Sequence, residues 1–373
     1  MSLFGKKKKK PVVLVEGSSP VCDLQAVVEE DGECVYLYLL YGYGQEEEEN
    51  RWVNSCWVCN LKAAPEEMDL DAMQKGQAPM MPADFCKNAN GEPPLKQQEL
   101  ELIWTEEGNG VALSAGGKLA AFVPSWADRN MPGYSVFAKG TGPFAWTMDE
   151  AYQNLMNRVN KSRSFWEAME SDYFAELQDK GLHVLEDFLQ TKDYKYYAID
   201  GGNFPPKALI SAEKDGFVYG VTLGVCAIPQ PNVEEWHQEE AGAFRRIELG
   251  FACQADVSQE TVMKMLGHMS SQAELPWRNL TWLGHEHTIS CDAFPGFPAV
   301  TIVNTALIPE VNVPRYEDFM GDRVNLLWLV PITQKEYELA MTKEQPMDVL
   351  LPLYHGKMDE LLIFDGKAKF LGE

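Results

Sequence analysis

Short stretches of alternating apolar and polar residues, separated by glycine turns, recur in both halves of the chain. In the first half they occupy residues 100–104, 111–113 and 119–123, with glycine-containing turns at 108–110 and 116–117. This spacing is typical of antiparallel strands joined by tight turns, because glycine tolerates the backbone angles that such turns need. The pattern therefore predicts an antiparallel β-meander.

The second half repeats this β signal and adds a more apolar strand. Residues 208–211 and 217–225 flank Lys214-Asp215-Gly216, a turn sequence typical of a β-hairpin. Residues 326–330 are uniformly apolar, which indicates a strand covered on both faces. Further strands are predicted at 34–40, 52–58, 244–249 and 300–303.

Helix signals lie between the β-rich regions. Thr147 and Glu150 have the spacing of a capping box, in which a hydroxyl and a carboxylate bond to exposed amides of the first helical turn. An apolar stripe of helical period follows as far as Gly181, where we expect the helix to stop before a second short helix at Phe188 and Leu189. Further helix starts are predicted at Ser258 and at a capping box formed by Thr333 and Glu336.

Strands and helices mixed in this order predict an α+β fold. We expect two mixed α/β lobes with largely antiparallel sheets, with helices packed on the sheets. The predicted domains are an amino-terminal β-rich α+β domain at 1–146, a helical connector at 147–190 and a second α+β domain at 191–373.

The charge of the chain limits its partners. Lysine and arginine number 32 against 56 aspartate and glutamate residues, which gives a formal net charge of −24. Such a negative field repels phosphate backbones, so we expect no nucleic-acid partner. No run reaches the roughly 18 apolar residues that a membrane span needs, and no secretory signal is recognisable ahead of the eight cysteines. We therefore expect a cytoplasmic protein with reduced thiols and no membrane association.

The sequence offers no recognisable catalytic constellation, and we expect neither an enzyme nor a cofactor. A Gly-x-Ser-x-Gly elbow is absent, and Gly116-Gly117-Lys118 lacks the other residues of a phosphate-binding loop. Cys56 and Cys59 have zinc-knuckle spacing, but alternation along a strand would point them to opposite faces. His285 and His287 would share one face of a strand and are weak metal candidates, because no third ligand stands at a clear spacing.

Two acidic loops are the candidate partner-binding segments. Residues 46–49 are consecutive glutamates, and residues 229–242 are predicted to form an exposed loop. In the second loop an aromatic ring that a partner can bury stands among carboxylates that attract a basic surface. The residues selected there are Glu234, Glu235, Trp236, Glu239 and Glu240. A solvated acidic face is the alternative for either loop.

A series of sequence blocks in the second half stands in a distinctive order and spacing. The blocks are Asp200-Gly201-Gly202-Asn203-Phe204-Pro205-Pro206, Val221-Thr222-Leu223-Gly224-Val225, Arg246-Ile247-Glu248-Leu249, Leu283-Gly284-His285-Glu286-His287-Thr288-Ile289, the apolar strand at 324–330 with Pro331-Ile332-Thr333, and Glu336-Tyr337. Together they resemble the suppressor-of-fused domain family in its bacterial form. The resemblance covers about residues 195–355, and residues 20–146 are similar to the amino-terminal region of bacterial relatives.

The resemblance implies a protein-binding module without enzymatic activity. Animal members of the family hold a short extended peptide of a transcription factor between two mixed α/β lobes, and bacterial members are thought to include immunity proteins that neutralise a toxin. We therefore expect a protein partner, either a basic toxin or an extended peptide, with immunity to a toxin as the most concrete function. The family's peptide-binding residues do not match this sequence one by one, so no site is transferred.

Two other functions stay open at this point. One is a metal-dependent hydrolase that uses His285 and His287. The other is a housekeeping adaptor protein that has no toxin as its partner.

Overall fold

The computed structural model describes residues 11–42, 51–127, 131–342 and 345–371. By its internal contacts the chain divides into two compact units, Met1–Met169 (unit 1) and Glu170–Glu373 (unit 2). Both units combine helices with largely antiparallel sheets, which confirms the predicted α+β fold. Among the described residues, no helix has the length and apolar character needed to cross a membrane.

The described part of unit 1 holds two sheets. The strands are β1 Val12–Ser18, β2 Leu24–Glu30, β3 Cys34–Tyr41 and β4 Arg51–Asn60 in the first sheet, and β5 Leu100–Trp104, β6 Val111–Ala115, β7 Lys118–Val123, β8 Tyr134–Ser135 and β9 Trp146–Thr147 in the second. Neighbours in sequence are neighbours in both sheets. β5, β6 and β7 pair antiparallel, which confirms the predicted meander.

The described part of unit 1 also contains α-helices α1 (Leu70–Gln74) and α2 (Tyr152–Met169) and short 3₁₀ helices at Ala83–Phe85 and Gln97–Glu99. Leu155 and Val159 of α2 are buried in one core with Phe122 of β7. The indole N–H of Trp166 donates to the backbone carbonyl of Trp104 at 2.9 Å. The helix is thus fixed on the second sheet by apolar packing and by a hydrogen bond.

The capping box predicted at Thr147 and Glu150 is wrong. Thr147 lies in β9 and pairs with Ser135 of β8, and its hydroxyl accepts a hydrogen bond from the Asp149 amide at 3.3 Å. α2 begins at Tyr152, five residues later. Pairing within the sheet fixes Thr147 in an extended conformation, and this tertiary constraint outweighs the local helix-start signal.

Unit 2 is built on one sheet with helices around it. Its strands are β10 Lys195–Ala198, β11 Ala208–Lys214, β12 Phe217–Leu223, β13 Arg246–Gln254, β14 Thr288–Phe294, β15 Phe297–Asn304, β16 Val324–Ile332 and β17 Ile363–Phe364. Its helices are α3 Tyr173–Leu189, α4 Val233–His237, α5 Gln259–Gln272, α6 Leu275–Asn279, α7 Gln334–Ala340, α8 Pro346–Leu350 and α9 Met358–Leu361.

The strand order in this sheet is β10-β11-β12-β13-β16-β15-β14, and β17 also pairs with β13. β13 runs parallel to β16 and β17, whereas the other neighbouring strands pair antiparallel. The hairpin predicted around Lys214-Asp215-Gly216 is confirmed as β11 and β12.

The apolar strand predicted at 326–330 is confirmed as β16, an interior strand that lies between β13 and β15. Every residue of β16 is buried, and the Trp328 side chain has no exposed area. Directly after β16, Thr333 and Glu336 form the predicted capping box of α7. The Glu336 carboxylate also accepts hydrogen bonds from the amides of Phe370 and Leu371, so it joins the start of α7 to the segment after β17.

Helices cover both faces of the sheet in unit 2. Tyr219 of β12 packs edge-on against Phe188 of α3, with ring centroids 5.2 Å apart. The next residue, Gly220, faces Leu266 of α5, whose Cδ2 would lie 2.6 Å from an added Cβ. Because consecutive strand residues point to opposite faces, α3 and α5 lie on opposite sides of the sheet.

The predicted helix stop at Gly181 is wrong as well. Residues 170–172 separate α2 from α3, and Gly181 lies inside α3. A Cβ at Gly181 would lie 2.2 Å from Cδ1 of the buried Leu223 in β12. This glycine therefore permits close packing of the helix on the sheet. α2 lies in unit 1 and α3 in unit 2, and the division at 1–146, 147–190 and 191–373 stays a prediction.

We predict that Gly181→Ala makes unit 2 less stable than Gly267→Ala does. Both residues are inside helices, so both substitutions gain about 1 kcal/mol of helix propensity. Nothing lies within 4 Å of a Cβ added at Gly267, whereas the Cβ at Gly181 overlaps Leu223. Overpacking of a core costs about 1–3 kcal/mol, and denaturant unfolding of the two variants should differ by about that amount. Equal unfolding free energies would contradict the packing described for α3.

Candidate protein-binding surface

Residues 229–243 precede β13 and carry most of the partner-binding residues predicted from the sequence. The sequence predicts an exposed loop at 229–242, and the structure corrects this. The segment contains α4 and a 3₁₀ helix at Gln238–Ala243, and the side chains of Gln230 and Val233 are buried. Its polar and proline-rich composition concealed these anchors, which only the tertiary fold defines.

Hydrogen bonds fix the base of this segment. The Gln230 amide group donates to the Leu283 carbonyl at 3.1 Å and accepts from the Leu283 amide at 2.8 Å. The indole N–H of Trp277 donates to the Pro229 carbonyl at 3.0 Å. The Gln230 backbone amide also donates to the Arg245 carbonyl at 2.7 Å. The start of the segment is therefore tied to α6, to the chain before β14 and to the residue before β13.

The outer side of the segment presents one aromatic ring among carboxylates. Trp236 of α4 is 68% exposed. Glu235 on the same helix is exposed, and so are Glu239 and Glu240 in the 3₁₀ helix that follows. These four residues are called the Trp236 surface below. Tryptophan is enriched among the residues that dominate binding energy at protein interfaces, so this surface is the candidate for partner binding.

The fifth selected residue, Glu234, lies on the inner side. Its carboxylate is 3.7 Å from the guanidinium of Arg245, and its side chain is 14% exposed. Glu234 therefore belongs to an interior charge network and is not part of the Trp236 surface.

The centre of that network is Asp322, which pairs with two guanidinium groups. Arg245 binds the Asp322 carboxylate through Nε at 2.8 Å and through Nη2 at 3.0 Å. Arg246 donates from Nε to the same carboxylate at 2.9 Å and from Nη1 to the carbonyls of Cys226 and Ala227. All three side chains are buried, and burial lowers the pKa of Arg246 against the opposing effect of Asp322.

A second buried carboxylate joins two of the blocks on which the family resemblance rests. Glu248 accepts hydrogen bonds from the Thr222 hydroxyl at 2.6 Å and from the amides of Gly224 and Cys226. Burial raises the pKa of Glu248, and these hydrogen bonds oppose the rise. Gly224 has a φ of 95°, and a Cβ there would lie 2.7 Å from the Phe174 ring. The blocks 221–225 and 246–249 thus act as structural elements of the fold.

His285 and His287 do not lie on one face of a strand, which corrects that prediction. They lie in a turn before β14, where Glu286 has a φ of 74°. His285 Nδ1 accepts a hydrogen bond from the Asn304 amide at 3.2 Å, and the His287 ring lies 4.4 Å from that of Trp282. Burial lowers the pKa of both histidines. Over the described ranges no three His, Cys, Asp or Glu side chains group as metal ligands would.

The cysteines lie in the interior of the protein. All eight are buried free thiols, including Cys56 and Cys59 in β4. Burial raises the pKa of Cys59 to about 12, so its thiol is protonated at neutral pH. The acidic residues 46–49, the other segment selected from the sequence, lie outside the described residues.

Comparisons with known proteins give a matching family model and matches among solved structures. The family model of the Suppressor of fused protein (SUFU) matches residues 199–365, a stretch inside unit 2 that includes the Trp236 surface. One of these structures is described as the Sufu-Fu complex crystal structure, with a TM-score of 0.35 and 13% identity over 51% of this chain and 89% of that chain. A search of curated proteins found no match.

We predict that Asp322→Asn destabilises unit 2 by about 3–5 kcal/mol, because it leaves two buried guanidinium groups without their shared counter-charge. Denaturant unfolding followed by circular dichroism measures the change. The matched control is Asp318→Asn, which alters an exposed carboxylate four residues away and should change stability by less than about 0.5 kcal/mol. If the two substitutions change the free energy of unfolding by similar amounts, the ion pairs of Asp322 contribute little to stability.

Proposed function

We propose that the suppressor-of-fused-like domain that the chain carries at residues 199–365 works as a protein-binding module and not as an enzyme. Within it we assign partner binding to the Trp236 surface. The buried charges of the domain support this division of roles. Asp322 and Glu248 make hydrogen bonds inside the fold, so they are engaged in structure and not directed at a substrate.

The exposed indole of Trp236 is the observation that carries the proposal. A tryptophan buries a large area on contact and loses little conformational freedom, which is why this residue type is frequent among the residues that dominate binding energy. With 68% of its area exposed, Trp236 has most of that contact area still available.

The fixed base of the segment also favours binding. α4 begins at the buried Val233, three residues after the buried Gln230, and the Arg245 guanidinium lies 3.7 Å from the Glu234 carboxylate. A contact surface that is already ordered costs less to immobilise when a partner binds. The helix can therefore present Trp236 with little rearrangement of the backbone.

The charges predict the chemistry of the partner. Exposed Glu235, Glu239 and Glu240 stand within four residues of Trp236 in the same segment, and the whole chain carries a net charge of −24. Such a field accelerates the association of basic proteins and disfavours acidic ones. We propose a basic toxin as the partner, with neutralisation of that toxin as the biological role.

Binding kinetics test the Trp236 surface. With a partner isolated from native cells on the tagged full chain, Trp236→Ala should weaken binding by more than about 1 kcal/mol, mainly through faster dissociation. The pair Glu239→Gln and Glu240→Gln should mainly slow association, and its effect should shrink as salt is raised.

Met263→Ala is the matched control for these kinetics, since Met263 is an exposed apolar side chain on α5 of the same unit. It should leave both rate constants unchanged. If the Trp236 and glutamate variants fold normally and also bind with unchanged kinetics, the contact surface lies elsewhere.

The toxin role is tested in cells. If the isolated partner is a toxin, its expression should arrest growth, and co-expression of this chain should restore growth, with weaker rescue by Trp236→Ala. A partner that does not affect growth would refute the immunity role and leave the protein-binding module in place.

A further inference from the structure

Unit 2 contains a cavity of about 650 Å³ that lies apart from the Trp236 surface in sequence. Its walls come from the β11–β12 turn, the start of β12 and the chain from Tyr354 to Lys369, completed by Gln254 of β13, by residues 312–313 and by Trp328 of β16. Cavities of about 300–1,000 Å³ are the usual size for small-molecule ligands. The residues that line it were not selected from the sequence.

Aromatic rings in fixed orientations form part of the wall. Trp328 is fully buried, and its indole N–H donates to the Leu362 carbonyl at 2.7 Å. Tyr219 packs edge-on against this indole, with ring centroids 6.5 Å apart. The Tyr354 hydroxyl donates to the Lys357 carbonyl at 2.7 Å. Aromatic faces held in this way can accept a cation.

The cavity wall carries four carboxylates against three lysines, and one ion pair joins the two groups. Lys369 pairs with Asp365 at 3.2 Å, and the Lys214 ammonium donates to the Phe188 carbonyl and lies 4.3 Å from that ring. Asp215, Asp359 and Glu360 also line the cavity, and none of them makes an ion pair within the described chain. Lys367 is an exposed cation of the same wall.

The carboxylates of the cavity wall raise the pKa values of two tyrosines in the same wall. Burial raises the pKa of Tyr219, and Asp215 and Asp359 raise it further. Burial likewise raises the pKa of Tyr354 to about 12, with added contributions from Glu360 and Asp365. Negative potential and aromatic surface therefore meet in the same cavity.

We infer that this cavity binds an arginine side chain of the protein partner, an inference that rests on the proposed function and extends it. A guanidinium is planar and weakly hydrated, so it can stack on Tyr219 or Tyr354 while its N–H groups donate to the carboxylates. The volume leaves room for the backbone next to the arginine. The basic character proposed for the partner supplies such side chains.

A capped tripeptide, acetyl-Gly-Arg-Gly-amide, is the probe, and its citrulline counterpart is the neutral control of nearly equal shape. Ligand-observed NMR titrations on the full chain should show saturable binding of the arginine peptide at least tenfold tighter than that of the citrulline peptide. Equal affinity for the two peptides, or no saturable binding of either, would overturn the inference.

Two variants with the same net charge locate the binding. The triple change Asp215→Asn, Asp359→Asn and Glu360→Gln should lower the affinity for the arginine peptide at least tenfold. The control triple Glu310→Gln, Asp318→Asn and Glu338→Gln removes three exposed carboxylates of unit 2 outside the cavity and should alter affinity by less than twofold. An equal loss in both triples would overturn the inference, because it would reflect the general field only.

The same triples separate this inference from the proposed function. Suppose that Trp236→Ala weakens binding of the isolated partner, while the cavity triple changes the affinity of neither the partner nor the arginine peptide. The cavity assignment then fails and the protein-binding module stands. If the cavity triple weakens binding of both the partner and the arginine peptide while Trp236→Ala leaves partner binding unchanged, the proposed contact surface fails instead and the cavity assignment stands.

Discussion

The carboxylate of Asp322 holds together the part of unit 2 on which the proposed surface depends. It accepts hydrogen bonds from two buried guanidinium groups, those of Arg245 and Arg246, at 2.8–3.0 Å. A backbone hydrogen bond joins the same two segments, since the Arg323 amide donates to the Gly242 carbonyl at 2.9 Å. Gly242 is close enough that an added Cβ would lie 3.0 Å from the Asp322 carboxylate. The turn before β16 and the segment before β13 are thus packed directly on each other.

Arg245 and Arg246 connect this network to two neighbouring segments of unit 2. Arg246 reaches the carbonyls after Gly224, and Glu248 two residues later binds the amides of the same turn. Arg245 reaches in the other direction, to Glu234 on α4. A buried ion pair is costly to desolvate, so its contribution here is best understood as specifying one geometry. The buried charges of Arg245 and Asp322 therefore orient α4, the helix that carries Trp236.

The strands that were predicted from sequence, β3 to β7, β11 to β13, β15 and β16, carry local signals, whereas strands such as β1, β2, β10 and β14 were not predicted. Alternation and glycine turns define β5 to β7, and the uninterrupted apolar run marks β16 as an interior strand. The capping box at Thr333 was predictable for the same reason, whereas that at Thr147 failed because strand pairing decides the conformation there. Local patterns predict elements well until a tertiary contact competes with them.

The candidate site was only partly predictable. Trp236 and its acidic neighbours stand out in sequence by residue type, but the inward orientation of Glu234 depends on Arg245 and the fold around it. Asp322 is 76 residues from Arg246 in sequence, and nothing near it in the chain indicates two partners. The cavity wall likewise brings together the β11–β12 turn and the chain around Tyr354, which are far apart in sequence.

Hydrogen–deuterium exchange of the full chain, free and bound to its isolated partner, tests the central claim most directly, since it shows where the partner makes contact. The account predicts slower exchange of backbone amides at 233–243 and at 354–369 in the complex, with little change in α5. Protection confined to residues 11–169, with both of those segments exchanging as in the free protein, would contradict it.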